Sequence, residues 1–183
     1  MTMMAGLSTA IGVIYLVLHG PMVVFPLRMQ AAIRAFPRHD WSGRILAAVA
    51  MAWSVYLVRE MPMGWFDAYK VWLYVAGPVI YILITLFMEE LLAARALGGV
   101  LLLGASPVLE AASAPNCPGT EWRLVLVAMA YAWVVAGIAL VLAPYRFRKA
   151  MAVLAGTEGR CRVLGLVGAG FGALLLGLGI RVF

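Results

Sequence analysis

His19, Glu110 and Ser106, together with Cys117 and Cys161, are the side chains whose types and settings could do chemistry in this sequence. His19 is the only histidine inside a long apolar run; His39 lies in a polar stretch. A haem held within a membrane usually takes two axial histidines from facing helices, and one histidine supplies half of that set. His19 is therefore the one weak candidate for a cofactor ligand, and the simpler expectation is a hydrogen bond to a neighbouring helix. Pro21, two residues later, predicts a local kink with a freed carbonyl nearby. Glu110 follows Gly104-Ala-Ser-Pro, and an ionisable residue in such a run is by default a functional candidate. A carboxylate beside Ser106 and Pro107 could line a polar cavity or bind a cation or a proton. The plainer alternative is that Glu110 simply reaches the membrane interface. Glu89 and Glu90 close another run, where solvation or pairing with Arg95 is expected.

Two isolated cysteines fit no zinc spacing. No nucleophile elbow, Walker loop or metal-binding His-Glu pair occurs. No catalytic residue, no metal and no cofactor are expected, and the chain is not read as an enzyme.

The elements that must position these residues follow from composition. Of the 183 residues, 65% are hydrophobic and 12% charged, against about 45–50% and about 25% in an ordinary soluble domain. A chain of this length cannot bury so much apolar surface in water. The expected fold is all-α: a polytopic membrane helix bundle forming one domain over residues 1–183. A crossing needs roughly 20 apolar residues, and six runs approach that length. They are Ala5–Phe25, Arg44–Val58 continuing toward Met63, Val71–Met88, Ala96–Ala112, Leu124–Ala143 and Val163–Ile180. The second is the shortest. The fourth carries Ser106, Pro107 and Glu110, so it is the one expected to kink or re-enter. Five crossings are the fallback.

Lys and Arg in alternate loops set the orientation. One side holds ten: Arg28, Arg34, Arg38, Arg44, Arg95, Arg146, Arg148, Lys149, Arg160 and Arg162. The other holds four: Arg59, Lys70, Arg123 and Arg181. Positive loops stay cytoplasmic, so both termini are expected on the outer, periplasmic side of a bacterial inner membrane. Trp65, Tyr69, Trp72 and Trp122 would form the outer aromatic belt. Cys117 and Cys161 then lie on opposite sides and cannot join in a disulfide. The net charge of +6 is read as a lipid-facing excess beside short loops, not as a nucleic-acid surface.

The sequence also resembles itself at a spacing of 118 residues. Pro26-Leu-Arg-Met-Gln-Ala-Ala-Ile aligns without a gap on Pro144-Tyr-Arg-Phe-Arg-Lys-Ala-Met, and Arg44-Ile-Leu-Ala on Arg162-Val-Leu-Gly. Arg95-Ala-Leu-Gly is a weaker echo. The expected organisation is a set of parallel-repeated helical hairpins: one over about 5–63, a central hairpin over about 70–114, and its counterpart over about 122–181. The segments after the two prolines carry apolar stripes, Met29/Ile33/Phe36 and Phe147/Met151/Leu154, with basic flanks. Such segments lie flat at head-group depth. Arg28, Arg34, Arg146, Arg148 and Lys149 are thus candidate contacts for lipid or a partner.

Helices five and six carry Gly137, Pro144, Arg146, Lys149, Arg162, Gly165, Leu166 and Gly172 before a final apolar run. In this they resemble the YjeT-type family of small two-helix bacterial inner-membrane proteins. The similarity covers about a third of the chain. It implies an inner-membrane hairpin and carries no biochemical activity with it.

Small residues supply the packing signal. Gly168 and Gly172 stand at GxxxG spacing, which lets helix backbones approach closely where lipid gives no hydrophobic drive. That face could serve the bundle or another subunit. Meagre loops, basic interfacial segments and no catalytic constellation point to a non-catalytic accessory or scaffolding subunit of a larger membrane complex. Its expected partners are membrane lipids, other membrane subunits or further copies of itself. The alternative is a small oligomeric channel or transporter with a polar path near Glu110 and Ser106.

Overall fold

A computed structural model describes residues 2–36, 40–87, 92–114 and 120–183. Every regular element among them is helical. In chain order they are α1 (Met3–Val24), α2 (Pro26–Ala35), α3 (Asp40–Glu60), a 3-10 stretch (Gly64–Trp72), α4 (Leu73–Phe87), α5 (Leu92–Ser113), α6 (Arg123–Leu142), α7 (Pro144–Leu154) and α8 (Glu158–Arg181). Six segments are long and apolar enough to cross a bilayer: α1, α3, the 3-10 stretch with α4, α5, α6 and α8.

Local chemistry sets the boundaries. Thr2 caps α1 by accepting the Ala5 N–H at 3.1 Å, and Thr157 caps α8 by accepting the Arg160 N–H at 3.4 Å. These bonds satisfy amides that a helix start leaves unpaired. Pro26 opens α2 and Pro144 opens α7, positions where a missing N–H costs nothing. The residue before each proline leaves the helical region: Phe25 has φ −125° and ψ 60°, Ala143 has φ −135° and ψ 62°. Proline disfavours helical backbone in its predecessor, so the helix breaks between α1 and α2 and again between α6 and α7.

Three boundaries differ from expectation. The second crossing starts at Asp40, because the polar first turn through Trp41 and Arg44 is helical as well. The third begins in the 3-10 stretch, where Lys70 Nζ sits 2.7 Å from Asp67 Oδ1 and donates to Arg59 O (2.8 Å) and Met61 O. Lys70 thereby satisfies the last carbonyls of α3 and staples α3 to α4. Gly64, at φ +61°, supplies the left-handed residue this turn needs. The fourth crossing, α5, runs unbroken through Pro107 and does not re-enter.

The bundle is built on antiparallel glycine crossings. α1 lies along α8, where a Cβ on Gly12 would meet Gly172 O at 2.8 Å. α5 lies along α6, where a Cβ on Gly98 would meet Gly137 O at 2.8 Å. The core between these pairs comprises Met4 and Ile11 of α1, Ala105 and Val108 of α5, Leu126, Met129 and Ala130 of α6, and Leu175 of α8. Ser8 Oγ, fully buried, donates to Leu175 O at 2.7 Å. α3 packs beside α5, with Gly43 against Ala93.

Several contacts at these crossings involve residues at fixed sequence spacings. Gly165 stands 67 residues after Gly98, and Gly137 and Leu140 stand 118 after His19 and Met22. A Cβ on Gly98 would meet Gly137 O and Leu140 Cβ, at 2.8 and 3.0 Å. A Cβ on Gly165 would meet His19 O and Met22 Cβ, at 3.1 and 2.8 Å. The pairs Ser8/Leu126, Ile11/Met129, Gly12/Ala130 and Pro26/Pro144, each 118 residues apart, are all buried.

Candidate functional site

Three places collect the polar side chains. The first is His19 on α1. Its Nδ1 lies 3.0 Å from Tyr15 O on the same helix. A carbonyl only accepts, so Nδ1 carries the proton and Nε2 is left as an acceptor in the neutral ring. The imidazole stacks on the Tyr15 ring at 5.3 Å and 13°. It also lies across Gly168, where an added Cβ would overlap the ring. The neighbouring-helix contact expected of His19 is thus a packing contact, while its hydrogen bond goes to its own helix. Tyr15 extends the cluster: its hydroxyl accepts from Trp133 Nε1 at 3.2 Å, and its ring meets Phe171 edge-on at 5.5 Å. The cluster ties α1 to α6 and α8. Gly168 and Gly172 both serve the α1–α8 contact, so the GxxxG face is spent inside the bundle.

The second place is an open cleft along the α5–α6 pairing. It measures about 620 Å³ and is lined by Ser106, Leu109, Glu110 and Ser113 of α5 and by Arg123, Leu124, Val127 and Tyr131 of α6. Ser106 Oγ donates to Glu110 Oε1 at 2.9 Å, which joins the two residues singled out from sequence. Glu110 is exposed and sits three residues before the end of α5. Arg123 and Tyr131 are the lining residues that sequence reasoning missed. The loop charge count says nothing of Arg123's setting; the pairing of α5 with α6 is what puts it in the same cleft as Glu110.

The third is the end of the bundle formed by α2 and α7. Gln30 Nε2 donates to Ala155 O, and Arg34 Nη2 donates to Ala155 O and Gly156 O at 3.3 and 3.0 Å. Arg160 Nη1 donates to Val153 O at 3.3 Å. Together they cap the C-terminus of α7, where cations also favour the helix dipole. Met29, Ile33, Phe147 and Met151 are half-buried, while Arg28, Arg34, Arg146 and Lys149 are exposed. Cys161 is fully buried, with Sγ 3.6 Å from Pro26 O. Arg148 belongs to α7, but its side chain lies outside the described residues, as do His39, Glu89, Glu90 and Cys117.

No family model, curated protein or solved structure matches this chain. The site therefore rests on geometry alone. Among the described residues, no three of His, Cys, Asp and Glu come together in a way that could hold a metal ion.

The charges divide unevenly between the ends. The end with the 3-10 stretch and the cleft carries Arg59, Lys70, Arg123 and Arg181 against Glu60, Asp67, Glu110 and Glu121, and is neutral. Among the described residues, the end with α2 and α7 carries Arg28, Arg34, Arg44, Arg95, Arg146, Lys149, Arg160 and Arg162 against Asp40 and Glu158, and is strongly positive. Trp65, Tyr69, Trp72 and Trp122 lie exposed at the neutral end, and Trp41 and Tyr145 lie exposed at the basic one.

Proposed function

We propose that this multi-pass membrane protein is a non-catalytic accessory or scaffolding subunit of a larger inner-membrane assembly. The uneven packing of its six crossings carries the reading. In α3 and in the crossing from Gly64 to Phe87, only 6% of the apolar window is buried. In the other four crossings the share is 22–39%. Between α3 and α4 lies an apolar groove of about 390 Å³ lined by Ala48, Ala52, Gly77 and Pro78, with Met51, Tyr74 and Tyr81 at its margins. Small residues are what a helix interface in lipid requires; Gly77 is buried against Val55, while Ala48, Ala52 and Pro78 are exposed. The basic end fits the same role by holding the protein against anionic head groups on the cytoplasmic side.

The hairpin organisation belongs to this proposal. The matched crossings and the matched breaks at Phe25 and Ala143 support a chain assembled from repeated hairpins, of which α6 to α8 is the copy resembling YjeT-type proteins. Such units pack through helix faces and need no catalytic centre.

Purification in mild detergent followed by mass analysis tests the reading. Unrelated membrane chains, or a second copy, should co-migrate with the wild type and be lost from Ala52→Leu. A lone wild-type monomer would count against the proposal. The cleft at Ser106 and Glu110 supports a second reading, a small oligomeric channel or transporter, for which Glu110→Gln abolishes flux in liposomes.

A further inference from the structure

We infer that the cleft between α5 and α6 holds the head group of a zwitterionic, amine-bearing phospholipid, with the ammonium at Glu110 and the phosphate at Arg123. Both charges line one cleft on facing helices. The ion pairs among the described residues are Arg59–Glu60, Lys70–Asp67 and Arg162–Glu158, so the two are not spent on each other. Glu110 accepts one hydrogen bond, from Ser106, while a carboxylate offers about four acceptor positions.

Depth favours a lipid over a dissolved solute. Glu110 lies one turn from the end of a 22-residue crossing, and Arg123 is the first residue of the next. That is head-group level in a bilayer. Leu124 and Tyr131 are 55% and 60% exposed on the flank of a membrane-crossing helix, so the cleft opens sideways toward acyl chains. Leu109, Leu124 and Val127 give it an apolar wall.

Charge selects the head group. One carboxylate and one guanidinium lining the same cleft match a ligand that carries both signs. An anionic lipid would place a surplus negative charge against Glu110, at an end with no positive excess to offset it. The acceptor set distinguishes between amines. A primary ammonium donates three hydrogen bonds, and Glu110 with the Ser106 and Ser113 hydroxyls can receive them. A quaternary ammonium donates none and is recognised by an aromatic cage, whereas Tyr131 is the only aromatic among the described residues that line the cleft.

The full chain, delipidated in mild detergent, is incubated with phosphatidylethanolamine, phosphatidylcholine or phosphatidylglycerol of identical acyl composition. Retained adducts are counted by native mass spectrometry. Phosphatidylethanolamine should be retained roughly tenfold over either of the others, the scale of one charge-assisted hydrogen bond. Glu110→Gln should reduce that preference to near parity with phosphatidylcholine. Arg123→Gln should weaken retention of all three, and Glu121→Gln, outside the cleft, should change nothing. Equal or better retention of phosphatidylglycerol by the wild type overturns the inference without any variant. So does an undiminished preference in Glu110→Gln, or retention of soluble glycerophosphoethanolamine as strong as that of the lipid.

Discussion

A single methyl group added at Gly172 should loosen the whole bundle, while the same methyl two residues away should not. A Cβ on Gly172 would lie 2.9 Å from Gly12 O, 2.9 Å from Tyr15 Cβ and 3.1 Å from Leu16 N. Ordinary contacts between carbon atoms fall at about 3.5–4.0 Å, so the helices must part by about 0.6–1 Å. Two of the three neighbours are α1 backbone atoms, which cannot rotate aside. Overpacking of this kind costs about 1–3 kcal/mol. Replacing glycine by alanine in a helix returns about 1 kcal/mol, which would blur Gly172→Ala taken alone. Gly170 removes the ambiguity, because a Cβ there meets nothing within 4 Å. Both variants gain the same propensity, so their difference isolates the steric cost. Titrating each from mild detergent into sodium dodecyl sulfate, with tryptophan fluorescence as the readout, should place Gly172→Ala below Gly170→Ala by about 1–3 kcal/mol. Equal midpoints would refute the α1–α8 crossing.

The imidazole of His19 occupies the space a Gly168 side chain would need, so Gly168→Ala should destabilise the wild type and be nearly harmless in a His19→Ala background. A double-mutant cycle by the same titration should give a coupling of roughly 1 kcal/mol or more, and strict additivity would remove the contact. With Cys117 and Cys161 replaced, an impermeant thiol reagent on intact cells should label Glu121→Cys directly and Lys149→Cys only after permeabilisation. The reverse pattern would invert the orientation assigned from loop charges.

What the sequence discloses here is whatever is local. The prolines at 26 and 144 mark both helix breaks because their effect on the preceding residue needs no tertiary context. Apolar run length finds the crossings for the same reason. It misjudges the third because Asp67 and Lys70 look unfavourable in a membrane segment until their pairing is seen. Pairwise order is different. Nothing in α1 names α8 as its neighbour, and GxxxG spacing leaves open whether its partner is inside or outside the chain. Arg123 shows the same limit: it lines one cleft with Glu110 only once α5 and α6 pack antiparallel. The sparse packing of α3 and α4 is likewise illegible from hydropathy, because α3 is the least apolar crossing, at 1.3, while the segment from Gly64 to Phe87 matches the better-packed α1, both at 1.8.

The closest helix pairing has a temporal side. α1 ends at Val24 and α8 begins at Glu158, with six other helices made in between. At roughly 5–20 residues per second of synthesis, α1 resides in the bilayer for on the order of ten seconds before its mate emerges. Through that interval the Ser8 hydroxyl lacks the Leu175 carbonyl, and the notch at Gly12 stands vacant toward lipid. A newborn chain is therefore a molecule with an unzipped seam, held open until the last helix slides in, and whatever escorts such intermediates has its best chance to grip α1 then.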